Sequence, residues 1–483
     1  MNNNLTLMTD YYELTMMQGY FISGVAENKV VFDLYFRQNP LGNGFSICAG
    51  LEQAVEYIKS LSFGERELAY LAGKGFKPKF LEYLKEFRFT GDVYAIPEGT
   101  VVFPNEPLVR VHAPLIQAQL IEAALLNIIN HQCLIATKAS RVVWAADGDP
   151  VLEFGLRRAQ GPDAGIYGAR AAIIGGCVAT SNTLAGMLFD VPVRGTHAHS
   201  WVMSFPDELT AFFEYAKIYP KACTLLVDTY DTLKSGVPNA INVFTKMRAD
   251  GIELKNYGIR LDSGDLSYLS KKARIMLDNA GFTDAVISAS SELDENIIQS
   301  LKQQGTQIKL WGVGTNLITS KDCPAFGGIY KLAAEVEPSG EVTPKIKLSE
   351  NPEKVTNPGV KKVFRLKDLN SGKIKADLIA LEDETIDTAQ DLTIFDPLAT
   401  WKRMTLKGGS FSADELLVPV FIKGECVYKL PSVTEIREHS EKELDTLWDE
   451  HRRLINPEIM PVDLSQRLYD TKQRMIKEIR GEE

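Results

Sequence analysis

The sequence predicts an α/β protein in which a parallel α/β barrel is flanked by an N-terminal α+β domain and a mostly helical C-terminal extension. Three observations carry this. Between Val151 and Leu317 one unit recurs about seven times: a short apolar, β-branched run, a polar or glycine-bearing turn, and a helix-period segment. Before it, strand-like and helix-like segments are mixed. Beyond Pro431 the composition turns charged and helix-periodic.

Val30–Pro40 reads as a strand, Leu51–Leu61 and Pro78–Phe87 as amphipathic helices, and the Gly/Pro-punctuated stretch 91–114 as short antiparallel strands. Residues 115–146 read as one or two long buried helices leading into the barrel, with a break near Cys133 to Thr137. The repeated units end in EFGLRRAQGPDAG, VATSN, VRGTHAHSW, LLVDTYDT, IRLDSGD, VISASS and LWGVGTN. Seven units are one short of a closed eight-stranded ring, so either one unit is irregular or the ring is incomplete. After Gly327 the rhythm stops, and alternating apolar and polar residues between Pro/Gly turns predict a β-rich segment that packs back on the first domain. The expected division is 1–146, completed by 335–400; a barrel over 147–334; and a mostly helical extension over 401–483.

At 483 residues, 45% apolar and 24% charged, the chain is that of a multidomain globular protein. Its 63 acidic against 53 basic residues, with no long basic run, argue against nucleic acid and anionic membrane surfaces as partners. Six scattered cysteines without a CxxC read as free thiols in a reducing compartment. The N-terminal segment lacks the features of a signal peptide, and no apolar stretch is long enough to span a bilayer, so the cytoplasm is expected.

The residues capable of chemistry sit just after the apolar runs, where a parallel barrel collects its active site. His197 and His199 form an HxH after Val191–Val193. Such a pair can hold zinc in a metal-dependent hydrolase, serve as acid/base or as a nucleophile toward a phosphoryl donor, or simply hydrogen-bond a neighbouring turn. Arg157, Arg158 and Arg260 suit a carboxylate or phosphate, unless they pair with Glu153, Asp163 or Asp262. Asp262, Ser263, Gly264 and Asp265 make a turn that can hold ribose hydroxyls or hydrated Mg2+, or merely cap a helix. Asp228 and Asp231 follow an apolar run in a manner similar to the phosphoribosyl diphosphate loop of the commoner phosphoribosyltransferases, but without its Thr-Gly sequel. Gly312, Gly314 and Thr315 follow the last run, where barrels often bind phosphate.

Together with TDYYELTM near the start, SNTLAG, and YKLA after GVGTNL, these stretches resemble the nicotinate phosphoribosyltransferases, in the family's order from Thr9 to about Ala333. The resemblance implies an incomplete TIM-like barrel, in agreement with seven units. It also implies a homodimer with a shared active site. The implied reaction makes nicotinate mononucleotide and pyrophosphate from nicotinate and phosphoribosyl diphosphate, as the entry to NAD salvage. ATP is a co-substrate, Mg2+ assists the departing diphosphate, and the implied partners are these small molecules alone.

By the same resemblance His199 is the histidine phosphorylated from ATP, with Arg260 and Asp262 beside it as catalytic residues. Tyr12, reaching across the dimer, and Phe154 would sandwich the pyridine ring, with Arg157, Asn182 and Thr196 completing the nicotinate pocket. Ser263, Asp265, Gly312, Gly314 and Thr315 would hold the phosphoribosyl group. The related nicotinamide enzyme carries aspartate where this chain has Asn182. An aspartate would repel a ring carboxylate by about 4 kcal/mol at about 4 Å and an effective dielectric near 20, so nicotinate is the expected base. The last 80 or so residues carry no assignable motif. The reading set against this one is a metal-dependent barrel hydrolase built on His197 and His199.

Overall fold

The structure, a computed structural model, describes residues 4–481. It divides into two compact units: residues up to 134 together with those from 325 onward, and residues 135–324. The second begins earlier and ends earlier than the span expected for the barrel. The reason at the far end is the strand Gly328–Val336, which joins the sheet of the first unit instead. The helix Glu122–Ala145 runs unbroken through the expected break, since no Gly or Pro interrupts it there, and the interruption falls at Ile121, after Leu115–Leu120.

In the first unit, seven antiparallel strands lie in the order 342–344, 328–336, 29–36, 109–114, 92–95, 418–422 and 425–426. Lys29–Phe36 is an inner strand buried on both faces: Val30, Phe32, Leu34 and Phe36 line one, and Val31 and Asp33, the latter paired with Lys361 at 2.7 Å, are buried on the other. Against it pack the helices Leu51–Ser60 and Pro78–Lys85 through Val55, Ile58, Phe80 and Leu84. A second sheet runs 411–415, 361–368, 374–381, 462–464. Its buried Arg365 donates to Asp377 at 2.6 Å and Glu443 at 2.8 Å, which compensates the cost of hiding the charge. The extension from 401 is not mostly helical at its start. The strands 403–406, 411–415, 418–422 and 425–426 come first, because their apolar residues alternate, and helices follow only at Val433–Asp445 and Gln466–Arg480.

The second unit is the barrel. Its parallel strands are β1 (Val151–Glu153), β2 (Ala179–Thr180), β3 (Ala222–Leu226), β4 (Asn256–Leu261), β5 (Val286–Ala289) and β6 (Leu310–Val313), ordered β2-β1-β6-β5-β4-β3. Leu225, Ile259, Leu261, Ile287, Trp311 and Val313 are buried on one face of this sheet, and Arg260, Ser288 and Gly312 alternate with them onto the other. The third apolar run makes no full strand. Val193 forms a single parallel bridge to Thr180, with the Thr180 N–H donating to Pro192 O at 3.1 Å and the Arg194 N–H to Thr180 O at 3.0 Å. Pro192 has no N–H to extend a ladder. The ring therefore holds seven members in chain order and is open between the Val193 segment and β3, so one unit is irregular and the ring is also incomplete. Around it lie α1 (Pro162–Ile174), α2 (Thr183–Phe189), α3 (His199–Met203), α4 (Glu208–Ile218), α5 (Val237–Ala249), α6 (Leu266–Asn279), α7 (Glu295–Gln303) and α8 (Thr315–Ile318). Among the described residues no helix is long and apolar enough to cross a membrane.

Candidate active site

The site lies at the C-terminal ends of the barrel strands, and its centre is the junction left open in the ring. His199 opens α3, its side chain 40% exposed, and its Nε2 lies 3.2 Å from Oδ1 of Asp228, whose side chain is buried just beyond β3. The other oxygen of Asp228 accepts from the Asp262 backbone N–H at 2.9 Å and from the Ser263 hydroxyl at 2.6 Å. One carboxylate thus joins the histidine turn to the DSGD turn after β4. Gly264 holds a positive φ of 79° in that turn, a conformation glycine adopts without strain. Asp231, which looks equivalent to Asp228 in the sequence, instead caps its own turn through Leu233 N–H and Lys234 N–H.

His197 does something different from His199. It is buried, its ring packs edge-on to Tyr215 at 4.7 Å, and its Nε2 accepts from the Leu226 backbone N–H at 3.2 Å. Its Nδ1 lies 3.4 Å from Ala198 O. Burial pushes its pKa down to about 4, helped by the positive charge of Arg260, so the ring is neutral and carries its proton on Nδ1. No lone pair is then left for a metal, and among the described residues no group of three or more His, Cys, Asp or Glu is placed to hold one. The hydrolase reading fails on this geometry.

Arg260, at the end of β4, donates from Nη1 to Thr196 Oγ1 at 2.5 Å and from Nη2 to His197 O at 3.2 Å. Its Nε is buried without a hydrogen-bond partner among the described residues. Burial pulls its pKa down, against the pull of Asp262 and Asp228. Asp262 accepts from the hydroxyl of Ser290, which closes β5, and Asp265 caps α6 by accepting from Tyr268 N–H at 2.9 Å. His199, Thr196, Arg260, Asp262 and Ser263 are therefore brought together. Asp228 and Ser290 complete the group; in the sequence Asp228 stands out only with Asp231 after an apolar run, and Ser290 carries no motif.

Phe154 and Gly312 form a second focus. A Cβ on Gly312 would lie 2.6 Å from Cδ2 of the Phe154 ring, so the glycine makes room for the aromatic. Gly312 is within β6 and paired to β1, which leaves Gly314 and Thr315 as the residues that leave the strand end. Thr315 lines a cavity of about 810 Å3 with Arg158 and Lys321 and with the carboxylates of Glu292, Asp294 and Asp322. Arg157 is exposed in a short 3-10 turn. Glu153 is buried and turned inward, accepting from Thr180 Oγ1 at 2.6 Å and from Gly155 N–H, with its pKa raised by burial. It pairs with neither arginine.

Asn182 departs from expectation. It is 2% exposed; its Oδ1 accepts from Ala185 N–H at 3.2 Å as the cap of α2, and its Nδ2 donates to Gly165 O at 3.0 Å. Both ends of the carboxamide hold the fold together, with the oxygen capping α2. Tyr12 belongs to the first unit, half exposed on the helix Tyr11–Ile22, with its pKa raised to about 12 by burial and the carboxylates of Glu122, Glu13 and Asp10.

Comparison with known proteins agrees with this architecture. Residues 7–130 match the model of the nicotinate phosphoribosyltransferase N-terminal domain and residues 360–472 that of the C-terminal domain. The chain is 48% identical to the nicotinate phosphoribosyltransferase of Bacillus subtilis, covering 99% of this chain and 97% of that one, and 35% identical to its namesake in Caenorhabditis elegans, covering 96% and 92%. The crystal structure of human nicotinic acid phosphoribosyltransferase superposes with a TM-score of 0.83 at 30% identity, over 97% of this chain and 99% of that one. Sequence, motif order and fold agree, and the chain belongs to the nicotinate phosphoribosyltransferase family.

Proposed function

We propose that this protein transfers the 5-phosphoribosyl group of phosphoribosyl diphosphate to nicotinate, giving nicotinate mononucleotide and pyrophosphate, and couples the transfer to ATP cleavage through phosphorylation of His199. The observation that carries this reading is the His199–Asp228 pair, set on an accessible helix start above a buried carboxylate. A carboxylate accepts only, so Nε2 carries the proton and Nδ1 keeps its lone pair. Nδ1 attacks the γ-phosphorus of ATP; a P–N bond forms, the P–O bond to ADP breaks, and water later releases phosphate from the histidine. Asp228 stabilises the positive charge that grows on the ring.

The transfer itself develops positive charge at the ribose and negative charge on the departing pyrophosphate. The unpartnered Nε of Arg260 is a donor for that anion. Gly314 and Thr315, which leave the end of β6 and open α8, hold the 5′-phosphate. Asp262 and Asp265 each spend one carboxylate oxygen on Ser290 and Tyr268, and each keeps a second oxygen without a protein hydrogen bond among the described residues. That fits hydrated Mg2+, which takes one or two carboxylates and completes its shell with water and phosphate. Bound there, Mg2+ would neutralise charge on the diphosphate. Phe154 stacks on the pyridine ring, Arg157 receives its carboxylate, and Tyr12 of a second copy covers it in a homodimer.

The test is product formation from phosphoribosyl diphosphate and Mg2+ with nicotinate or nicotinamide, with and without ATP, following mononucleotide and ADP together. Nicotinate mononucleotide rising in step with ADP is the expected result. Mononucleotide unaffected by ATP would remove the coupling, and none from either base would remove the reading.

A further inference from the structure

The two histidines of HAH make two rungs of one ladder. His197 Nε2 accepts from Leu226 N–H, and His199 Nε2 faces Asp228 Oδ1; both pairs are separated by 29 residues. The Val193–His199 segment and the end of β3 therefore run in parallel register across the gap in the barrel. Side chains supply the rungs that backbone groups supply at every other junction. Leu226 is the last residue of β3, and its N–H points to the open edge; the next N–H, of Val227, turns the other way to Arg260 O at 3.2 Å. Without the imidazole that buried donor would go unpaired. The same segment is tied from below, since Thr196 Oγ1 and His197 O both receive Arg260. Tyr215 and Phe212 pack on the ring and fix its orientation.

We propose that His197 is a positioning residue: by accepting from Leu226 N–H it closes the open junction of the barrel and sets the register in which His199 meets Asp228. It touches neither substrate nor phosphoryl group and acts through the pair two residues on. The proposal rests on the reading of His199 as phosphoryl acceptor for its effect on turnover, but the register itself has an independent readout.

The experiment uses the full-length protein with His197→Leu, which keeps bulk and removes the acceptor, and His197→Gln, whose Oε1 can accept in place of Nε2. With ¹⁵N-labelled histidine, the imidazole spectrum reports the His199 tautomer, assigned by its loss in His199→Ala. In parallel, kcat for ADP formation and KM for nicotinate are measured with phosphoribosyl diphosphate and Mg2+. In His197→Leu the Nε2–H form of His199 should give way to a tautomer mixture, and kcat should fall about 10- to 100-fold while KM stays within about twofold. His197→Gln should restore both to within about threefold of the parent. The proposal is overturned if His197→Leu keeps the parent spectrum, or if the glutamine variant fails as badly as the leucine variant, which would make the role one of packing. Should His199→Ala still cleave ATP, the functional reading falls, and the tautomer comparison alone then decides the positioning role.

Discussion

Nε2 of His199 and Oδ1 of Asp228 stand 3.2 Å apart, and the opposite oxygen of the same carboxylate is held by Asp262 N–H and the Ser263 hydroxyl. Among the described residues, one oxygen thus has two fixed donors and the other has only the imidazole. This asymmetry decides what Asp228→Asn would do. The amide oxygen must serve the two donors, so the NH2 group faces His199 and donates to Nε2. The imidazole then carries its proton on Nδ1, the atom meant to attack. ADP formation should fall about 10³-fold or more with the fold retained, as expected when a carboxylate partner is made a donor. A variant with undiminished ADP release would show that the pair does not set the tautomer.

Replacing the histidine separates chemistry from coupling. His199 is partly exposed, so His199→Ala should change stability by no more than about 1 kcal/mol. ATP cleavage should disappear while slow nicotinate mononucleotide formation persists, because displacement at the ribose does not itself need a phosphohistidine. Simultaneous assay of ADP and mononucleotide checks this, and full ATPase activity in the variant would refute the assignment of His199.

Asn182→Asp now tests the fold more than the choice of base. Aspartate can still accept from Ala185 N–H, but it cannot donate to Gly165 O, and it sets one acceptor against another in a buried place. Denaturant unfolding should show a loss of about 1–3 kcal/mol, with the nicotinate-to-nicotinamide ratio of kcat/KM unchanged. A moved ratio at unchanged stability would return Asn182 to the substrate pocket.

How much of this was legible in the sequence follows from the physics of each element. Six of the seven apolar runs are strands, because β-branched runs buried on both faces have few alternatives. The seventh is a bridge because Pro192 interrupts it. His199, Arg260 and Asp262 lie near one another because polar groups just past a barrel strand converge whatever the helices do. Asp228 and Asp231, three apart in one turn, could not be told apart, since only the path of the chain after β3 turns one toward His199 and the other back on its own N–H groups. Asn182 is ambiguous in the sequence for the same reason, because capping and substrate contact use the same carboxamide. The start of the C-terminal extension was misassigned because the charged helices that follow outweigh four short strands.

His197 gives the barrel a pH dependence of known sign. Its pKa is held near 4 by burial, with Arg260 and His199 adding to the effect, against 6.5 for an ordinary histidine. The folded state prefers the neutral ring, so its contribution is complete above pH 6.5 and is lost as the pH falls from there toward 4, by about 3 kcal/mol in all. Comparing the stability of the parent and His197→Gln between pH 7.5 and about 4 isolates this from the carboxylates. The parent should lose the larger amount, and parallel curves would mean that His197 is as easily protonated folded as unfolded.

The contact between Gly312 and Phe154 yields a prediction in which stability and binding must move together. Gly312→Ala places a methyl carbon 2.6 and 2.8 Å from Cδ2 and Cε2 of the ring, closer than packed atoms allow, with the strand buried and the aromatic half-buried at the barrel end. The ring must turn, at about 1–3 kcal/mol for an overpacked site. If Phe154 stacks on the pyridine, losing that alignment weakens nicotinate by about fivefold in KM, in line with an aromatic pair worth about 1 kcal/mol. Because both effects arise from one collision, they should not add with the loss of the ring itself: Gly312→Ala in a Phe154→Leu background should cost less stability and less affinity than in the parent. A double-mutant cycle read by unfolding and by KM checks both arms. Additive costs in both would mean that Gly312 is there for the backbone alone and that Phe154 does not meet the base.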